Sequence, residues 1–252
     1  MRRLLYWYLP VTAALAGAAV FSAGLWWYFT GNVGSMVTVP TQAAVTTRAP
    51  RGTVVPIILG DSLARGTGDD TGLGIGGRLN DELEKRQIKA KKTVNLAVNG
   101  ARTADLLQQL SHPSVRTLLG ESNVVIISIG GNDLWGGTDW RNAPPKDPEA
   151  TMTMVLNRMA DAVKVVRTAN PRARIFVIGL YNPFAATPFG PQLTALVNRW
   201  NARLVERFGT DPNLTVVQTS DLFAYHDRLS LDRFHPGAEG YALIARRIAD
   251  AI

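Results

Sequence analysis

Residues 53–66 read TVVPIILGDSLARG. The first seven residues form a short, mostly β-branched apolar run, and Gly60 closes it. A run of that length that stops on glycine is the pattern of a strand buried on both faces. Working outward, the pattern recurs at Thr93–Val98, Asn123–Ile129, Ala173–Leu180 and Leu214–Gln218, each bounded by Gly, Asn or Pro.

Amphipathic stretches lie between these runs. The clearest is Pro148–Ala169, where Met152, Val155, Leu156, Met159, Val163 and Val166 recur at helical spacing as a core-facing stripe. Gln192–Phe208 and Gly237–Ile252 behave similarly, the latter with Tyr241, Ile244 and Ile248 in register. Strands alternating with helices imply right-handed crossovers and a parallel sheet covered by helices on both faces. Ligands of such sheets bind at the carboxyl ends of the strands.

Those ends carry pointed chemistry. The first strand leads into Gly60-Asp61-Ser62, the second into Asn99-Gly100, and the third into Gly130-Gly131-Asn132-Asp133. Asp232-Arg233-Phe234-His235-Pro236 stands immediately before the last helix. A serine hydroxyl is a poor nucleophile until an imidazole takes its proton, and an acceptor must hold that imidazole in the right tautomer. Asp232, three residues before His235 in a proline-flanked turn, can fold back onto Nδ1 and leave Nε2 for Ser62. The oxyanion that forms on an attacked carbonyl needs preorganised donors. The backbone N–H groups of Ser62 and Gly100 and the side-chain amide of Asn132 could supply three, and glycine at 100 admits close approach of the backbone. Each fragment alone is common. Their joint occurrence in this order, at strand ends and ahead of the last helix, points to acyl transfer.

The blocks GDSLARG (60–66), NLAVNGART (95–103), GGND (130–133) and DRFHP (232–236) resemble those of the SGNH hydrolases, or GDSL-type esterases and lipases. The resemblance spans 53–252 and is greatest to the lysophospholipase L1-like and thioesterase I-like bacterial branch. It implies an α/β/α sandwich with a five-stranded parallel sheet of flavodoxin-like order, and no metal or cofactor. It also implies Ser62, Asp232 and His235 as catalytic residues, with Ser62, Gly100 and Asn132 forming the oxyanion hole. Loops 134–147 and 181–191 follow the third and fourth strands. Trp135, Trp140, Tyr181, Phe184 and Phe189 within them are candidates for an acyl-binding trench, or simply pack the loops down.

Ahead of the domain, Leu4–Phe29 is apolar and free of charge. As a helix it would span about 39 Å, more than a bilayer's hydrocarbon core. Tyr6, Trp7 and Tyr8 at one end and Trp26, Trp27 and Tyr28 at the other match the two interfacial belts. Arg2 and Arg3 would hold the amino terminus in the cytoplasm. The expectation is a transmembrane signal-anchor over 1–30, a linker over 31–52 and the hydrolase domain over 53–252 outside the cytoplasmic membrane. Cleavage at Ala16-Gly17-Ala18 or Ser22-Ala23-Gly24 would instead release a secreted protein.

Composition closes other routes. The 252 residues include no cysteine, which excludes disulfides, a thiolate nucleophile, Cys-bound zinc and a lipidated cysteine. The formal charge of +7 falls to +3 beyond residue 60, without a dense Lys/Arg run, so nucleic acid is not expected as a partner. Gly72, Gly74 and Gly77 satisfy G-x-G-x-x-G, but the strand ends well before Gly72 and no acidic residue closes the next one. The expectation there is a flexible loop beside Ser62. His112 and His226 read as surface or loop residues. The substrate reading is a small-molecule or lipid ester, with lysophospholipid-like esters first. O-acetyl groups of envelope glycans are the rival substrate, acyl transfer the rival reaction, and a non-catalytic binding module the rival role.

Overall fold

The computed structural model describes residues 11–12, 14–23, 26, 52–135, 147–224 and 226–252. The chain divides into two units, Met1–Thr38 and Val39–Ile252. In the first, residues 14–23 are helical, and Leu15, Val20, Phe21 and Trp26 are exposed. Among the described residues no helix is long and apolar enough to cross a membrane. Half of the expected Leu4–Phe29 span and the 31–52 linker up to residue 51 lie outside them, as does Trp140.

The second unit is a doubly wound sheet. Its strands are β1 (Pro56–Gly60), β2 (Val94–Asn95), β3 (Val124–Ser128), β4 (Arg174–Ile178) and β5 (Leu214–Val217). They are ordered β2-β1-β3-β4-β5, and every pairing is parallel. Ile57 faces Val125 across β1 and β3, and Val125 faces Ile175 across β3 and β4. Because side chains alternate along a strand, the central strands divide into two cores. Ile57, Leu59, Val125, Ile127, Ile175 and Val177 face α3 (Thr103–Ser111), α4 (Pro113–Glu121), α6 (Pro148–Ala169) and α7 (Gly190–Phe208). Ile58, Val124, Ile126, Phe176 and Ile178 face α2 (Gly74–Lys85) and α8 (Ala238–Asp250). Two short helices, α1 (Ser62–Arg65) and α5 (Gly131–Trp135), follow β1 and β3 directly.

Two expectations need correction. The second strand, expected over Thr93–Val98 and buried on both faces, is a two-residue edge strand whose residues are exposed. Backbone bonding to β1 runs on past it, Leu96 N–H donating to the Ile58 carbonyl and Val98 N–H to the Gly60 carbonyl, while the Asn95 amide donates to the Ala64 carbonyl and its oxygen accepts from Ala97 N–H. The Gly72–Gly77 segment is not a flexible loop. Asp69 pins it, accepting from Thr71 N–H, the Thr71 hydroxyl and Gly74 N–H, and Gly74 and Gly77 open helix α2. An acceptor on Gly74 N–H meets one of the donors a helix start leaves unpaired.

Candidate active site

The chain leaves β1, turns back to β2 on one side, then crosses to β3 on the other. That reversal opens a crevice at the carboxyl ends of β1 and β3, the switch point where doubly wound folds place ligands. Ser62 follows β1 and Asn132 follows β3.

Gly60 makes the turn into Ser62 possible. Its φ is 135°, and a Cβ there would lie 1.8 Å from the Ser128 carbonyl oxygen. No side chain fits in that contact. The next residue, Asp61, donates its N–H to Ser128 O at 2.9 Å and caps α1, its carboxylate accepting from Leu63 N–H at 3.1 Å. Asp61 is buried, and burial pushes its carboxyl up to about 7. Hydrogen bonds from the Leu63 and Ala64 backbone and from Ser128 oppose that rise without offsetting it. Ser62 thus stands first in α1, where a helix leaves N–H groups without intrahelical acceptors.

His235 meets Ser62 from the far side of the crevice. Its Nε2 lies 2.9 Å from Ser62 Oγ, and its Nδ1 lies 2.6 Å from Asp232 Oδ2. The other Asp232 oxygen accepts from the Ser230 hydroxyl and from the N–H groups of Phe234 and His235. Partial burial works against ionisation of Asp232, but these bonds outweigh it and hold the carboxyl far below its ordinary range. An ionised Asp232 can only accept, so the proton between it and His235 sits on Nδ1 and leaves Nε2 free to take one. Gly68 lets the neighbouring loop close on this turn, since a Cβ there would come within 2.8 Å of His235 Cβ.

Asn132 lies opposite the serine. Its amide donates to the Ala101 carbonyl at 3.0 Å, which ties the loop carrying Gly100 to α5. Asp133 makes a second tie, accepting from Thr103 N–H at 2.9 Å and the Thr103 hydroxyl at 2.7 Å. Gly100 itself is exposed, with φ of 77°.

Ser62, Asn132 and His235 line one cavity of about 50 Å³, together with Asp61, Ser128, Gly131 and the apolar side chains of Trp135, Leu180, Tyr181, Pro183 and Phe234. Two of the aromatic expectations, Trp135 and Tyr181, are therefore at the site. Phe184 is not in this cavity: it stacks on Phe234, with centroids 5.6 Å apart, and lines an adjoining groove that shares Pro183 with it. Phe189 lines neither and caps the start of α7. Gly100 is also absent from the cavity wall. Gly131, Leu180, Pro183 and Phe234 were not anticipated. Their only sequence signal is position: Gly131 and Phe234 stand within the GGND and DRFHP blocks, and Leu180 and Pro183 follow β4. His112 is exposed at the start of α4, and His226 falls in a 3₁₀ turn. Among the described residues no cluster of three His, Asp or Glu could hold a metal ion.

A serine, an imidazole and a carboxylate in hydrogen-bonding sequence, at the switch point of a doubly wound sheet, define a class of α/β serine hydrolases. Within that class, the chain belongs to the GDSL-like lipase/acylhydrolase family, whose model matches residues 58–243. It is a carboxylic ester hydrolase of that family. It is 30% identical over 207 residues to the uncharacterised protein YpmR of Bacillus subtilis, covering 79% of this chain and 81% of that one. It is 24% identical over 204 residues to the spore germination lipase LipC of Bacillus licheniformis, covering 77% of this chain and 93% of that one. The crystal structure of the lipase Lip_vut3 from a goat rumen metagenome shares its fold. The TM-score is 0.67 at 22% identity, over 79% of this chain and 97% of that one.

Proposed function

We propose that Ser62 is the nucleophile of this hydrolase, His235 its general base and acid, and Asp232 the carboxylate that orients the imidazole. The observation that carries the reading is the continuous relay of 2.9 Å from Ser62 Oγ to His235 Nε2 and 2.6 Å from Nδ1 to Asp232. In this reading, Ser62 Oγ gives its proton to Nε2 as it bonds to the ester carbonyl carbon. The carbonyl electron pair moves onto oxygen, where Asn132 and the N–H groups of Ser62 and Gly100 receive it. The intermediate collapses as the C–O bond to the alcohol breaks, and Nε2 returns the proton to the departing oxygen. A water then gives a proton to Nε2 and attacks the acyl-serine. Carboxylic acid leaves and Ser62 regains its hydrogen.

The amino-terminal segment is proposed as an uncleaved anchor that holds the hydrolase domain at the outer face of the cytoplasmic membrane. Its uncharged run from Leu4 to Phe29 behind Arg2 and Arg3 supports this, as do the exposed apolar side chains of its helical part. One experiment tests both parts. Cells producing the full chain, or Ser62→Ala, are treated with a fluorophosphonate probe and fractionated. The expected result is a single labelled full-length band in the membrane pellet for the wild type alone. Equal labelling of Ser62→Ala would remove the nucleophile assignment, and a shortened band in the medium would remove the anchor.

A further inference from the structure

We infer that the acyl group this enzyme removes is short, two to four carbons, and that Gly131, Leu180 and Trp135 set that limit. The inference rests on Ser62 being the nucleophile. With the alcohol directed towards His235 and the carbonyl oxygen towards Asn132, the acyl chain is left the apolar side of the cavity. That cavity measures about 50 Å³. A void of about 150 Å³ accepts the six carbons of benzene, so this one has room for roughly two carbons before the chain meets a wall or solvent.

The walls are not free to yield. Leu180 is clamped through its backbone, its N–H donating to Asn201 Oδ1 at 2.9 Å and its carbonyl accepting from Asn201 Nδ2 at 2.8 Å. Asn201 is fully buried. Tyr181 packs on Phe223 with ring centroids 4.1 Å apart, and its hydroxyl donates to the Phe234 carbonyl at 2.6 Å. Asn182 pins the following loop, donating to Gly190 O and the Thr194 hydroxyl and accepting from Phe184 N–H. Asp61 and Ser128 also line the cavity, so a chain pressed past the serine would meet a buried carboxyl rather than more hydrocarbon.

Gly131 offers a handle on the volume. A Cβ there would lie 3.6 Å from Leu180 Cδ2 and 3.9 Å from Trp135 Cδ1, in ordinary contact with both. It would occupy the space that this reading gives to the third or fourth acyl carbon. Shortening Leu180 would do the reverse.

The test measures kcat/KM of the full chain in detergent on p-nitrophenyl acetate, butyrate and octanoate, and on palmitoyl lysophosphatidylcholine. In an extended channel each added methylene should gain about fourfold. The short cavity predicts acetate and butyrate within a few-fold of each other, octanoate at least tenfold below butyrate, and the lysolipid lower still. Gly131→Ala should lower the butyrate-to-acetate ratio about fivefold or more, and Leu180→Ala should raise the octanoate-to-acetate ratio about tenfold. If activity climbed through octanoate, or the lysolipid matched acetate, the short-acyl inference would fall while the Ser62 assignment stood. Unchanged ratios in both variants would likewise overturn the wall assignment. Failure to turn over any ester, with Ser62 unlabelled by fluorophosphonate, would take both down together.

Discussion

Replacing Asp232 by asparagine exchanges one oxygen of the relay for an NH₂ group. The oxygen that serves the turn can stay, still accepting from the Ser230 hydroxyl at 2.6 Å and the N–H groups of Phe234 and His235 at 2.8 and 2.9 Å. At the position now 2.6 Å from His235 Nδ1, an acceptor becomes a donor. Nδ1 must then accept, and the ring's single proton moves to Nε2, where it points at Ser62 Oγ instead of receiving its hydrogen. The base is lost while the geometry is kept. The expected loss in kcat is on the order of 10⁴, equivalent to about 5.5 kcal/mol of transition-state stabilisation. Alanine at the same position should lose the turn as well. Three hydrogen bonds would go, but the Asp232 side chain is 45% exposed, so water replaces much of what they contribute. That leaves an expected destabilisation of about 1–2 kcal/mol. The assay is kcat on p-nitrophenyl acetate beside thermal unfolding followed by circular dichroism. Asp232→Asn should keep the wild-type melting temperature to within about two degrees, and Asp232→Ala should lower it. Should Asp232→Asn retain a rate within tenfold of wild type, the carboxylate would not be what holds the tautomer, and the triad reasoning would fail.

Two further predictions concern the groups around the serine. Asn132→Ala should cost about a hundredfold in kcat while Ser62 still reacts with fluorophosphonate, because the amide serves the oxyanion and not the nucleophile. A wild-type turnover number in that variant would exclude Asn132 from the oxyanion hole. Asp61, with a native carboxyl pushed from 3.8 up to about 7, makes stability depend on pH. The unfolded chain releases this proton first. The contribution of Asp61 is therefore full below about pH 4, declines as pH rises to about 7, and levels off above, a total of order a few kcal/mol. Asp61→Asn keeps an oxygen for the Leu63 N–H cap and cannot ionise. The difference in urea-unfolding free energy between Asp61→Asn and wild type should therefore grow in the variant's favour from pH 4.5 to pH 8. A difference that stayed constant across that range would show that Asp61 is not the group responsible.

Four strands and the longest helix were legible because their signal is local. β1, β3, β4 and β5 are apolar runs, and Pro148–Ala169 carries a stripe long enough for its period to show. β2 departs from the expectation because burial of an edge strand depends on what covers it, and the run 93–98 carries no sign that its residues stay exposed. Helix α2 was missed because Gly74, Gly76 and Gly77 are poor helix formers. Tertiary contact overrides that preference: a Cβ on Gly76 would come within 3.2 Å of Thr93 and 3.4 Å of Ile58. α3 and α4, at nine residues each, are too short for a hydrophobic period to stand out. At the site, the residues with chemical character were readable and those that shape the space were not. Ser62, Asn132, Asp232 and His235, expected from their blocks, are brought together at one crevice. Leu180 and Gly131 have no chemistry to betray them, and their effect exists only where α5 and the end of β4 converge.

That convergence places the Ser62–His235–Asp232 chain and the Trp135–Leu180 side of the cavity at one point of the fold. The sheet divides the domain into two cores, and the crevice lies where both end. Leu63 and Tyr181 belong to the core shared with α2 and α8, so Ser62 and the aromatic side chain beside it are anchored on that side. Leu134, Trp135 and Leu180 pack on the core shared with α6 and α7, so Asn132 and the cavity side formed by Trp135 and Leu180 are anchored on the other. Hydrogen bonds also hold the crevice: Asp61 N–H to the Ser128 carbonyl at the base, and the Tyr181 hydroxyl to the Phe234 carbonyl beside the histidine. Apolar packing is tolerant of small shifts, whereas a 2.6 or 2.9 Å hydrogen bond is not. A serine relay needs that stiffness, because a shift of about 1 Å in such a site costs on the order of a hundredfold in rate.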